Sequence, residues 1–112
     1  APSAPELAHF YSDLLGWEIA TESPNHCTMG PTSGVAYLAI QTASDYARPT
    51  WPNADGQQQM MMHLDFEVVD LTAAVAHALE LGAQEATYQP QDNVRVMLDP
   101  AGHPFCLYSG AD

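Results

Sequence analysis

The chain carries one pattern twice, a capped amphipathic helix followed by strand-forming segments, and this repeat restricts its fold more than any other feature. Ser3-Ala4-Pro5-Glu6 has the Ser-x-x-Glu spacing of a capping box, with proline in the first turn where a missing N–H does no harm. Leu7, Phe10, Tyr11, Leu14 and Leu15 follow at three- and four-residue steps, and Gly16 supplies the left-handed residue that ends a helix. The pattern returns with Asp70 as N-cap, Leu71, Val75, Ala78, Leu79 and Leu81 at similar steps, and Gly82 as the stop. The two glycines stand 66 positions apart and the two caps 67, which predicts a duplicated module of roughly 65 residues.

Strand signals fill the remainder: 17–21, 27–30 and 35–41 after the first helix, then 83–88, 94–99 and 105–109 after the second. Ahead of the second helix, 60–69 alternates, with Met62, Leu64, Phe66 and Val68 on one face and Met61, His63, Asp65 and Glu67 on the other. No such segment precedes the first helix. Equivalence of the halves therefore predicts a first strand of roughly six to ten residues ahead of Ala1, missing from this chain. A length of 112 residues suits a single domain of the α+β class, 1–112, with module one at 1–41, a connection at 42–59 and module two at 60–112. Pro49, Pro52, Asn53, Asp55 and Gly56 break any regular element in the connection. Trp51 in it either plugs the side of the core or anchors a ligand or a second subunit.

Charge narrows the function classes. Arg48 and Arg95 are the only strong cations, there is no lysine, and 14 carboxylates bring the formal net charge to −12. Nucleic-acid and membrane-surface partners need Lys and Arg to displace counterions, so neither is expected. A cationic ligand would be drawn in, although self-repulsion that keeps the surface soluble is the plainer reading. No run of about 18 apolar residues exists to span a membrane. Cys27 and Cys106 read as two free thiols in a reducing cytoplasm.

Chemistry concentrates on the polar side of 60–69. Three ionisable residues in succession, His63, Asp65 and Glu67, do not face a dry core, because unpaired charges there cost several kcal/mol. That face meets water, a small molecule or a metal ion. Residues two apart on a strand have roots roughly 7 Å apart, close enough for His63 and Asp65 to share an ion, but two ligands do not hold one. Cys106 and Tyr108 share a face of the last strand, and Cys106 is either an inert small residue or a thiolate ligand or nucleophile. Arg95 and Met97 share a face of 94–99, and Arg95 is expected to pair with Glu67 or Asp65, neutralising the polar face and orienting an anionic ligand group. Asp99-Pro100-Ala101-Gly102 reads as a structural turn joining antiparallel strands. His9, His26, His77 and His103 are read as surface or satisfied histidines.

These residues resemble a known family. The run His63-Leu-Asp-Phe-Glu-Val-Val-Asp-Leu, the helix end Leu81-Gly82-Ala83, and Val94-Arg-Val-Met-Leu-Asp-Pro-Ala-Gly-His-Pro-Phe-Cys-Leu107 resemble the glyoxalase/bleomycin resistance/dioxygenase group, the vicinal oxygen chelate superfamily. Phe10-Tyr11-Ser-Asp-Leu-Leu-Gly-Trp17 resembles its first helix and following strand, so the likeness spans nearly the whole chain. It implies paired βαβββ modules, each opening with a strand, whose curved sheets enclose a cavity, commonly in a homodimer. On that resemblance the cavity is lined by His63, Asp65, Glu67, Arg95, Met97, Cys106 and Tyr108, with Gln41 and Trp51.

In metal-dependent members the ligands come from the first strand, the last strand of module one, the start of module two's first strand and the final strand. His63 matches the third position, the first lies ahead of Ala1, the second falls near Ala39 or Gln41, and the fourth falls at Cys106, where glutamate is usual. A hard ion would miss those carboxylates. The favoured reading is therefore a module that binds a small molecule without a cofactor, as bleomycin-resistance proteins do. The alternative is a divalent-metal-dependent lyase or dioxygenase whose ion is held by His63, a ligand from the first strand ahead of Ala1, and Asp65 or Gln41. A thiol enzyme using Cys106 with His63 is a third option. The Pro49-Thr-Trp-Pro52 stretch adds likeness to small glyoxalase-like proteins of undefined substrate.

Overall fold

A computed structural model describes residues 1–110. The chain forms two compact units, Ala1–Tyr46 and Ala47–Asp112, whose boundary falls inside the 42–59 connection. Among the described residues no helix is long and apolar enough to cross a membrane.

The first unit holds α1 (Ala4–Leu15), β1 (Glu18–Glu22), β2 (His26–Gly30) and β3 (Leu38–Gln41). Ser3 is extended and its hydroxyl accepts from the Glu6 N–H at 3.3 Å, the cap that the Ser-x-x-Glu spacing predicts. At the other end Gly16 takes φ 71° and its N–H bonds the Ser12 carbonyl at 2.9 Å. The helix buries Ala4, Leu7, Ala8, Phe10 and Tyr11 and packs on an antiparallel sheet of order β1-β2-β3. Cys27 stands opposite Ile40 in the ladder, and these two with Met29 form the buried side of that sheet. The predicted strand 35–41 shortens to Leu38–Gln41. Gly34 turns the chain at φ 102° and Val35 is fully exposed, so 35–37 has no strand beside it to complete a ladder.

The second unit holds β4 (Leu64–Val68), α2 (Leu71–Glu80), β5 (Gln84–Glu85), β6 (Val94–Leu98) and β7 (Pro104–Ser109). The sheet order is β4-β7-β6-β5; β4 runs parallel to β7 and the other pairs are antiparallel. This is a complete βαβββ module, with the opening strand laid beside the last. Among the described residues the first unit has no counterpart of β4. The Asp70 carboxylate caps α2 by accepting from the Ala73 N–H at 3.0 Å, and α2 packs against β5, β6 and β7.

Two predicted strands are shorter than their sequence patterns. The segment 60–69 enters the ladder only at Leu64, opposite Phe105, one residue beyond Pro104, which has no N–H to extend the pairing. Met62, expected on the buried side, is consequently 73% exposed. The segment 83–88 keeps only Gln84 and Glu85 as strand, because the Gln89 side chain takes over the edge of β6. Its amide accepts from the Val96 N–H at 2.8 Å and donates to the Val96 carbonyl at 3.0 Å.

The β6–β7 connection is held by Asp99, which is 1% exposed. Its Oδ1 accepts from the backbone N–H groups of Ala101 and His103, each at 2.9 Å, and Oδ2 lies 2.9 Å from His103 Nδ1. Arg48 donates to the Pro100 carbonyl at 2.9 Å and lies directly over Gly102, where any Cβ would overlap its side chain. Gly102 also takes φ 94°, so the turn demands glycine twice over.

Candidate functional site

Directly paired residues of adjacent strands project to the same side of a sheet. In the second unit Asp65 pairs with Cys106 and Glu67 with Tyr108 across β4 and β7, and Val96 pairs with Cys106 across β6 and β7. One face therefore carries Asp65, Glu67, Cys106 and Tyr108. The other carries Leu64, Phe66, Phe105, Leu107, Met97 and Arg95, since Met97 pairs with Phe105 and Arg95 with Leu107. The second face is the dry one: Met97, Phe105 and Leu107 are buried, and the Phe66 and Phe105 rings lie 6.2 Å apart.

His63, immediately before β4, turns its ring onto the polar face. Its Nε2 is 3.3 Å from Asp65 Oδ1, with both side chains about half exposed. One donor atom each from His63, Asp65 and Cys106 lies within 4.8 Å of the others. Glu67 does not join them, because its carboxylate rests against the backbone of Gly110.

Other predicted site residues lie elsewhere. Arg95 and Met97 are on the dry face, not the polar one, and the expected ion pair of Arg95 with Glu67 or Asp65 is not formed. The Arg95 guanidinium instead lies 3.7 Å from the Glu85 carboxylate and donates to the Gln91 and Val94 carbonyls at 3.0 and 2.8 Å. Alternation correctly separates the two faces of β6, but only the hairpin register decides which of them continues the polar face of β4. Trp51 is half buried, its ring 5.5 Å from Tyr88. Gln41 ends β3 in the first unit, exposed and opposite His26. His9 pairs with Glu22 at 3.2 Å and His103 with Asp99, as the satisfied reading of these histidines expects.

Sequence reasoning missed one concavity in the first unit. Glu18, Ile19, Thr28, Thr32 and Tyr37 help line about 450 Å³ of space beside β1 and β2. Gly30 and Tyr37 meet at its wall so closely that a Cβ on Gly30 would sit 2.9 Å from the Tyr37 Cβ. That contact depends on the path of the loop between β2 and β3, which no periodicity encodes.

Burial, then the negative charge of Asp65, then a hydrogen bond to its carboxylate push the Cys106 thiol up from 9.0 to about 11. A protonated thiol at neutral pH is a poor nucleophile, which argues against the thiol-enzyme option. The folded state keeps this proton to higher pH than the unfolded state. The associated stabilisation is thus complete below the unfolded-state value and is lost as pH rises through about 11. Iodoacetamide alkylation of Cys106, followed by peptide mapping, is expected to accelerate roughly tenfold per pH unit above neutrality without levelling off until about pH 11. Asp65→Asn is expected to move the profile to lower pH; a plateau near that of a free thiol, about pH 8.5, would contradict the assigned environment.

The family model described as a glyoxalase-like domain matches residues 1–108. The chain belongs to the glyoxalase-like domain family. Solved structures of similar fold include a glyoxalase/bleomycin resistance protein/dioxygenase family enzyme from Burkholderia phytofirmans PsJN, at 16% identity and TM-score 0.68, covering 97% of this chain and 91% of that one. The fosfomycin resistance protein FosX from Mesorhizobium loti is similar at 13% identity and TM-score 0.66, covering 96% and 82%. TnmS3, an antibiotic binding protein from Streptomyces sp. CB03234, is similar at 15% identity and TM-score 0.55, covering 94% and 84%. No curated protein matches the sequence.

The divalent ion common in this family can be tested against the donors present. The carboxylate-rich set that a hard ion requires is not made in the second unit, where the final strand offers the Cys106 sulfur at the position of the usual glutamate. The donors His63, Asp65 and Cys106 suit a different class of ion.

Proposed function

We propose that this protein binds a cationic or neutral small molecule against the polar face of the β4-β7-β6-β5 sheet, without the carboxylate metal site of its metal-dependent relatives. One observation carries the reading. Arg95 lies on the dry face, paired with Glu85, so no strong cation offsets Asp65 and Glu67 on the polar one. Arg48 is likewise engaged, at the Pro100 carbonyl. The net charge of −12 reinforces the same sign over a longer range. Two proteins of similar fold, the fosfomycin resistance protein and the antibiotic binding protein TnmS3, lend support to a resistance or sequestration role. Two free cysteines fit a reducing cytoplasm, and the exposed apolar residues Met61, Met62 and Val69 fit a homodimer contact.

A panel of size-matched cationic, neutral and anionic small molecules, read by thermal shift and equilibrium dialysis, tests this. Cationic members are expected to raise the unfolding midpoint by an amount that shrinks as salt is added, and Asp65→Asn with Glu67→Gln to weaken their binding about tenfold. Anionic members stabilising equally well would reject the proposed face. Light scattering on the same samples is expected to read a dimer mass.

The proximity of His63, Asp65 and Cys106 favours a second reading, a divalent-metal-dependent lyase or dioxygenase. There the ion would polarise vicinal oxygens of a substrate, and His63 would be one of its ligands.

A further inference from the structure

We infer that the first unit carries a small-molecule site of its own, between Glu18 and Tyr37, and that it takes an organic ammonium: a charged amine with an apolar body. It shares no residue with the polar face of the second sheet and stands or falls independently of it.

The β1–β2 hairpin builds the site. Glu18 pairs with Gly30 and Thr21 with Thr28, so these positions project to one side of the sheet. Cys27 and Met29 alternate with them and are buried, which assigns the packed side to that pair and leaves the Glu18 side open. Gly30 has no side chain, and Tyr37 occupies the space: a Cβ there would lie 2.9 Å from the Tyr37 Cβ. Tyr37 thus stands over the position directly across the ladder from Glu18, and both residues line the same concavity. Between Ile19 and Thr21 the register shifts, and the extra residue, Ala20, bends β1 where it forms the wall. The space measures about 450 Å³, inside the roughly 300–1,000 Å³ typical of small-molecule sites.

The lining selects the ligand. Glu18 is the only charged residue in it, Ile19 and Pro31 add apolar surface, and Thr28 and Thr32 add hydroxyl groups. Among the described residues the Glu18 carboxylate has no ion-pair or hydrogen-bond partner, and residues 1–46 contain no lysine or arginine to neutralise it. An anion would meet that carboxylate with no counter-charge beside it, and an uncharged solute would leave it unmatched. Tyr37 is 65% exposed, so its ring contributes little to the core and is open to a ligand. An ammonium can contact the carboxylate and the face of this ring together, adding a cation–π contact to an ion pair, while its hydrocarbon part covers Ile19 and Pro31. Both polar contacts are partly solvated, so the expected dissociation constant is about 0.1–1 mM.

Amide NMR titrations of the isotope-labelled protein with phenethylammonium, phenethyl alcohol and phenylacetate, which share a phenyl-and-two-carbon skeleton, test the inference. Phenethylammonium is expected to shift the amide signals of Thr28, Gly30 and Thr32 saturably, about fivefold more tightly than the alcohol, with no saturation by phenylacetate. Glu18→Gln, at an exposed position, is expected to weaken binding about threefold and to remove most of its salt dependence; Tyr37→Leu is expected to weaken it about threefold. The amides of Asp65 and Glu67 read the polar face in the same spectra, so the two sites are scored separately. Saturation at Asp65 and Glu67 with none at Gly30 would overturn this inference and leave the polar face standing; saturation at Gly30 alone would support it and count against the polar face. Equal affinity for phenylacetate or for the alcohol, or unchanged affinity in both variants, would also overturn it.

Discussion

Asp99→Ala is expected to lower the unfolding midpoint by roughly 10–20 °C, the effect of losing about 3–5 kcal/mol from a domain of this size. The carboxylate is buried and accepts from two backbone N–H groups as well as pairing with His103. Alanine would leave both N–H groups without that acceptor in a place water reaches poorly, and each such orphan costs about 1–3 kcal/mol. Asp99→Asn keeps an oxygen for the two backbone donors and loses the charge opposite His103, so it is expected to cost less than half as much. Thermal denaturation of both variants checks the ranking. Equal losses would mean that the ion pair, and not the backbone bonds, holds the turn. The turn matters for the site because it joins β6 to β7 in the register that places Cys106 opposite Val96.

Phe105→Ala is expected to be comparably severe, about 3–5 kcal/mol by denaturant unfolding. Phe105 is fully buried on β7, between β4 and β6, and its ring meets Phe66. Removing it opens a cavity on the dry face, where strands paired on both sides cannot close inward. Val69→Ser, at a fully exposed position just past β4, is expected to stay within about 0.5 kcal/mol of the wild type. A Phe105→Ala loss no larger than that of Val69→Ser would mean the sheet's dry face is not the core of the second unit.

Local signals were the readable part of the fold. Ser3 with Glu6, Asp70 with Ala73, and the left-handed Gly16 mark helix ends through contacts within one turn, so the residues concerned are adjacent in sequence. The alternation of Leu64, Asp65, Phe66, Glu67 and Val68 likewise assigns opposite faces from neighbours alone. Strand extent was less readable. Residues 60–63, 35–37 and 86–88 have strand-like composition yet no full ladder, because a strand requires a partner backbone, and Pro104 and the Gln89 amide decide where pairing stops.

The candidate site divides along the same line. His63 and Asp65 were legible as a pair because a two-residue step on a strand is a local geometry. Cys106 lies more than forty residues away, and nothing in its flanking pattern of Phe105 and Leu107 says that Asp65 is its neighbour. Arg95 shows the converse: sequence reasoning placed it correctly beside Met97, and then on the wrong side of the sheet. A slip of one residue in register exchanges the faces of a whole strand, and register is set by the Asp99 turn and by the parallel pairing of β4 with β7. Residue order alone therefore settled the helices, their caps and the two-faced character of each strand. Tertiary pairing decided which faces coincide, and with them the meeting of imidazole, carboxylate and thiol and the separation of that cluster from the arginine expected to neutralise it.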